Sequence, residues 1–150
     1  IHDNRFDIPM LAERLLAATE WLIKSPHHKN GPIGYFGAST GAAAALMAAA
    51  EADRKWPLYA IVGRGGRPDL AGKEFLKEVR IPTLLIVGSN DGEVIKLNEK
   101  AKSYLSDARL VLVPGASHLF EEPGALAEVV KLSASWFFSY LEKGETHANI

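Results

Sequence analysis

The 150-residue chain contains no cysteine, and that absence removes several chemistries together. Without a thiol there can be no disulfide framework, no thiolate metal site and no cysteine nucleophile. Methionine is nearly as scarce, at two residues. No apolar run approaches the roughly 20 residues that a membrane-spanning helix needs. Neither sign of charge dominates, because 17 basic residues stand against 18 acidic ones. So balanced a chain has no general attraction for nucleic acid or an anionic membrane surface. The opening Ile1-His2-Asp3-Asn4-Arg5 is polar, unlike the apolar core of a secretion signal, and the expected setting is cytoplasmic. No P-loop or dinucleotide fingerprint occurs, so the Gly63–Gly66 cluster carries little weight as a phosphate site. His27-His28 has no third ligand at metal-site spacing, and the pair reads as loop histidines. The expectation is therefore no metal and no cofactor.

What remains is an ordinary globular composition, 47% apolar and 23% charged, in a length that suits one domain. Asp7 ahead of Ile8-Pro9, followed by Leu11, Leu15, Ala18 and Leu22, predicts a capped helix over 8–24. Four apolar runs follow: Pro32–Phe36, Leu58–Val62, Thr83–Val87 and Leu110–Val113. They do not alternate with polar residues, so each must be covered on both faces. Helical patterns lie between and after them, over Gly41–Ala52, Val94–Leu105 and Leu126–Leu141. Strands alternating with helices predict a parallel sheet in a three-layer α/β/α sandwich. The domain should span 1–142, with 143–150 a disordered tail. Trp21, Trp56 and Trp136 are expected in the core or at its rim.

The first run ends in Gly37-Ala38-Ser39-Thr40-Gly41, the G-x-S-x-G pattern of a nucleophile elbow. A serine hydroxyl is a poor nucleophile, so it must project where a base can take its proton. A sharp strand-to-helix turn does this, and side chains larger than glycine beside the serine would collide with neighbouring elements. The alanines after Gly41 would let the helix lie close to the sheet. The start of that helix aims backbone N–H groups at a developing oxyanion, with Thr40 the expected donor. Asp91 follows the third run and His118 the fourth, so all three groups sit beyond carboxyl ends of strands, where parallel sheets gather their chemistry. Singly, Ser39 could cap a helix, Asp91 could cap or turn, and His118 could be a loop histidine. Together they make a Ser-His-Asp triad in chain order Ser, Asp, His. Arg64 and Arg67 follow the second run at the same end and could meet an anionic substrate group. Asp69 is a fallback acid. Glu121 and Glu122 are expected to serve the start of the last helix.

The stretches FGASTG, PTLLIVGSNDGEV and VLVPGASHLFEEPGAL, in that order from about Ile8 to Leu141, resemble the α/β-hydrolase superfamily and its dienelactone-hydrolase-like group. The resemblance implies Ser39 as nucleophile, His118 as general base, Asp91 as orienting acid and an acyl-enzyme formed from an ester, lactone or similar small-molecule substrate. The alternatives are an inactive hydrolase-like accessory or binding module, or an acyltransferase using the same triad. The segment Gly63–Leu70 resembles hydrolase-like proteins that sometimes occur fused to phosphoribosyltransferase domains. The four runs correspond to the last four strands of that family's sheet, so the N-terminal strands, and the loop that gives a second oxyanion N–H, are missing. The strand at Ile33–Phe36 would then be an exposed apolar edge, and an N-terminal segment of the same protein is expected to pair with it. A homodimer through that edge is the alternative.

Overall fold

The computed structural model describes residues 6–52 and 55–148. Helix α1 (Ile8–Lys24) leads into strand β1 (Ile33–Ala38) and helix α2 (Thr40–Ala52). Strand β2 (Leu58–Arg64) is followed by a 3-10 turn at Pro68–Ala71 and the short helix α3 (Lys73–Glu78). Strand β3 (Thr83–Gly88), helix α4 (Gly92–Tyr104), strand β4 (Ala108–Val113) and helix α5 (Ala125–Ala148) complete the chain. The sheet order is β1-β2-β3-β4 and every pairing is parallel. The expected α/β sandwich is present.

Alternation along the strands divides the core in two. Tyr35, Ile61 and Leu85 point into a cluster with α1 to α4, whereas Val62, Leu84 and Ile86 pack under α5. Strand β3 is buried at every residue, as a parallel strand covered on both faces must be. Strand β1 is less protected, with Phe36 52% exposed on the face it shares with α5. That helix crosses β1 two residues earlier, where a Cβ on Gly34 would lie 2.6 Å from the Phe137 ring.

Helix α1 begins as expected, with the Asp7 carboxylate accepting from the Met10 amide at 3.1 Å. Its buried face differs from the stripe read from the sequence. Ile8, Ala12 and Thr19 are buried, while Leu22 is 36% exposed and Trp21 is 70% exposed. The rotation follows from a polar contact. Thr19 donates its hydroxyl proton to the Leu15 carbonyl at 2.7 Å, so its oxygen accepts from the Tyr35 hydroxyl, also at 2.7 Å. Drawing Thr19 inward turns Trp21 to the surface. Burial raises the Tyr35 hydroxyl above its ordinary pKa, which keeps it a donor. Trp56 and Trp136 pack at the rim as expected, the latter donating to the Pro82 carbonyl at 3.4 Å.

Two further departures have simple causes. Helix α3 presents a single buried residue, Leu76, too little for a periodic signal. Helix α5 continues through 143–148, past the end expected at Leu141; that stretch has no proline and one glycine, so nothing forces a stop. Residues 149 and 150 of the expected tail lie outside the described residues.

The two elbow glycines are not equivalent. A Cβ on Gly37 would overlap the carbonyl of Gly41 and lie 2.7 Å from the Ala42 nitrogen. A Cβ on Gly41 would meet nothing within 4 Å, so the expected collision holds only on the strand side. Gly37→Ala should therefore lower the melting temperature markedly. Gly41→Ala should be neutral or stabilising, by up to about 1 kcal/mol from helix propensity. Thermal melts of the two variants check this, and equal effects would contradict the packing described.

Candidate active site

Ser39 occupies the single residue between β1 and α2, with φ of 53°. A side-chain-bearing residue in this left-handed region costs on the order of 1–3 kcal/mol, which the surrounding packing must hold. Four backbone contacts do so. The Ser39 amide donates to the Arg64 carbonyl at 3.2 Å, and the Ser39 carbonyl accepts from Ala42 at 3.1 Å and Arg67 at 3.1 Å. Gly37 supplies the fourth through its close approach to Gly41. It is the Ser39 carbonyl, not its hydroxyl, that receives the helix amide, so the capping alternative does not describe this serine. Thr40 opens α2, and first-turn amides have no acceptor within their own helix.

Asp91 stands at the N-cap position of α4 yet makes no capping hydrogen bond. Its Oδ2 instead meets His118 Nδ1 at 2.8 Å, across 27 residues. The carboxylate is largely shielded, at 16% side-chain exposure, while the imidazole is 41% exposed. An aspartate fixing one ring nitrogen leaves Nε2 as the nitrogen free to exchange a proton with solvent or substrate.

Gly65 and Gly66 lie between this pair and Ser39. A Cβ on Gly65 would sit 3.0 Å from the His118 carbonyl and 3.6 Å from His118 Nδ1. One on Gly66 would overlap the Ala42 Cβ and lie 3.5 Å from the Ser39 carbonyl oxygen. The structure thus brings Ser39, Asp91 and His118 to one rim of the sheet. Among the described residues no hydrogen bond joins the Ser39 hydroxyl to His118. Such bonds commonly tighten only once substrate is bound.

The arginines separate. Arg67 forms a two-point ion pair with Asp69, at 3.0 and 2.9 Å, which holds its guanidinium above the ordinary pKa. Asp69 is thereby committed to Arg67 rather than to His118. The Arg64 guanidinium lies 5.4 Å from the centre of the Phe120 ring. His28 bonds the Gly31 carbonyl at 2.8 Å, and no cluster of three candidate metal ligands occurs among the described residues.

The loop carrying His118 is strained and tied. Phe120 is 1% exposed with φ of 57°, and its amide donates to the Ser117 carbonyl at 3.2 Å. Glu122 was expected to serve α5. Its backbone carbonyl does accept from Ala125, but its carboxylate reaches back to the Ser117 amide at 3.0 Å. Sequence reasoning does not find two features beside the site, the glycine pair as a spacer and Asn98, whose side-chain nitrogen donates to the Gly66 carbonyl at 2.9 Å. The double glycine was the signal for the first, read only as a weak phosphate motif. Nothing in the sequence pointed from Asn98 to Gly66.

No family model matches the chain. Over 90% of its length it superimposes on a dienelactone hydrolase of Anabaena variabilis, at TM-score 0.86 and 54% identity, covering 62% of that protein. A promiscuous, dienelactone-hydrolase-like phosphotriesterase from metagenomic libraries shares the fold, at TM-score 0.71 and 21% identity over 93% of this chain and 65% of that one. The chain is a partial α/β-hydrolase fold. Within that fold, the sequence similarity at hand is to a dienelactone hydrolase, with 54% of aligned residues identical. In two strains of Mycobacterium tuberculosis, a candidate phosphoribosyl transferase is 52% identical over 139 residues, 92% of this chain. The chain spans 31% of the length of those curated relatives. No described helix is long and apolar enough to cross a membrane.

The hydrogen bonding around Ser117 holds the Glu122 carboxyl below the usual carboxylate range. A lowered carboxylate contributes stability above its unfolded pKa and loses it as pH falls through the folded value. The melting-temperature gap between the parent protein and Glu122→Gln should thus be largest near neutrality and close on acidification below about pH 4. A gap that widens on acidification would show that Glu122 does not hold the loop as an anion.

Proposed function

We propose that the protein is a serine hydrolase that cleaves an ester, lactone or similar acyl bond. The observation that carries this reading is the Asp91–His118 hydrogen bond, made at the strand rim where Ser39 sits in a left-handed elbow. In the proposed reaction Ser39 Oγ attacks the acyl carbonyl while His118 Nε2 takes its proton. The Thr40 amide donates to the oxyanion. His118 returns the proton to the leaving alkoxide, leaving an acyl-enzyme. Water, deprotonated by the same imidazole, then attacks the acyl carbon and releases acid and free serine. Asp91 holds the ring and stabilises the imidazolium that forms between steps. The known hydrolases with this fold support the class of reaction.

A fluorophosphonate probe and a panel of simple esters and lactones test the proposal. Ser39→Ala should abolish labelling and lower turnover by about 10⁴-fold or more. Asp91→Asn should leave the protein folded and cost about 10³–10⁴-fold, through the wrong imidazole tautomer. A folded protein whose labelling is indifferent to Ser39 would end the reading. The large share of each Mycobacterium relative outside this chain favours a second one, a hydrolase-like accessory unit. Absence of labelling in the native-length protein would select it.

We further propose that another segment of the same polypeptide covers β1. Its outer edge is unpaired among the described residues, and Phe36 is 52% exposed. On α5, Val130 and Phe138 are each 67% exposed. Phe36→Glu should cost on the order of 3 kcal/mol in the native-length protein, while suppressing self-association of residues 1–150 alone. No stability change at native length would argue against a covering segment. A concentration-dependent dimer at native length would point to a second copy instead.

A further inference from the structure

Asn98 is an amide in the interior of α4, 1% exposed. An amide buried there costs free energy unless its hydrogen bonds are made, and asparagine is a poorer helix former than leucine. Its side-chain nitrogen donates twice, to the Val94 carbonyl one turn back at 2.8 Å and to the Gly66 carbonyl at 2.9 Å. The second bond crosses 32 residues and ends on the glycine spacer.

That spacer is tied on all sides. Ser39 donates to the carbonyl of Arg64 and accepts from the amide of Arg67, residues that flank the glycines, and the Gly65 amide donates to the Ile86 carbonyl at 2.7 Å. Gly65 abuts the His118 backbone and ring, and Gly66 abuts Ala42 and the Ser39 carbonyl. The position of the Gly66 peptide therefore sets the gap between the serine turn and the histidine loop. These contacts hold the loop's amides and its flanks, while the Gly66 carbonyl is held from α4, by the side chain of Asn98.

We infer that Asn98 is a positioning residue for Ser39 and His118, acting through the Gly66 carbonyl. As a positioning role this rests on the hydrolase reading; the latch itself does not. The packing alternative is that Asn98 merely satisfies a buried carbonyl and contributes only stability.

Asn98→Ala and Asn98→Ser are compared in the native-length protein with Ser106→Ala, which loses a hydrogen bond to the Val79 carbonyl remote from the rim. Two readouts are taken well below melting: ester turnover, and hydrogen exchange at the Ser39 and Arg67 amides. Asn98→Ala should lower kcat at least tenfold with KM within about threefold, and exchange at both amides should quicken tenfold or more. Asn98→Ser, with one short donor, should recover part of each loss and serves if the alanine variant does not fold. Ser106→Ala should change neither readout. Unchanged kcat and unchanged exchange in a folded Asn98 variant would overturn the inference, as would equal effects from Ser106→Ala. If the parent protein hydrolyses nothing while exchange still quickens only in the Asn98 variants, the latch stands and the hydrolase reading fails.

Discussion

Steric clearance at one end of the sheet governs this molecule. Helix α2 has to start immediately above the strand that feeds it, and β2 has to turn directly beside that start. The geometry closes because Gly37 and Gly66 lack side chains where α2 presents a peptide group and the methyl of Ala42, and Gly63 adds a looser clearance of the same methyl. The alanine run Ala42–Ala45 is buried throughout, so the helix rides low over the strands. Interior packing leaves little slack, so an added methyl at the tightest of these positions must displace backbone. The strained serine is a consequence of that crowding.

The parallel register turns crowding into convergence. Ala38 pairs with Arg64, Arg64 with Ile86, and Gly88 with Val113, so all four strands end nearly level. Each then releases a loop on the same rim, and groups 27 residues apart come within hydrogen-bond distance. Stability comes from the apolar layers below, while the polar contacts above mostly fix loop shape. The Ser117–Glu122 and Asn98–Gly66 bonds are of this second kind.

How much of this was legible in the sequence depended on locality. The four strands, the longer helices and the positions of Ser39, Asp91 and His118 could be read because each is marked by its own neighbours along the chain, whereas the one-turn burial of α3 left no such mark. The burial of Thr19 could not, since it depends on a hydroxyl sixteen positions away on Tyr35. Trp21, expected from its hydrophobicity in the core or at its rim, is 70% exposed for the same reason, because a polar contact turns it out. Asn98 looked like one more polar residue on an amphipathic helix. Its partner is a carbonyl, and backbone oxygens leave no mark in an amino-acid string.

Asp91 carries a wider consequence. It fills the place where a carboxylate ordinarily caps a helix, yet spends itself on the imidazole, so α4 starts without a side-chain cap. Caps are worth about 0.5–2 kcal/mol. Under the proposed hydrolase function, a descendant relieved of turnover would gain stability from serine, threonine or asparagine at this site, so the replacement of this one acid would mark the loss of catalysis.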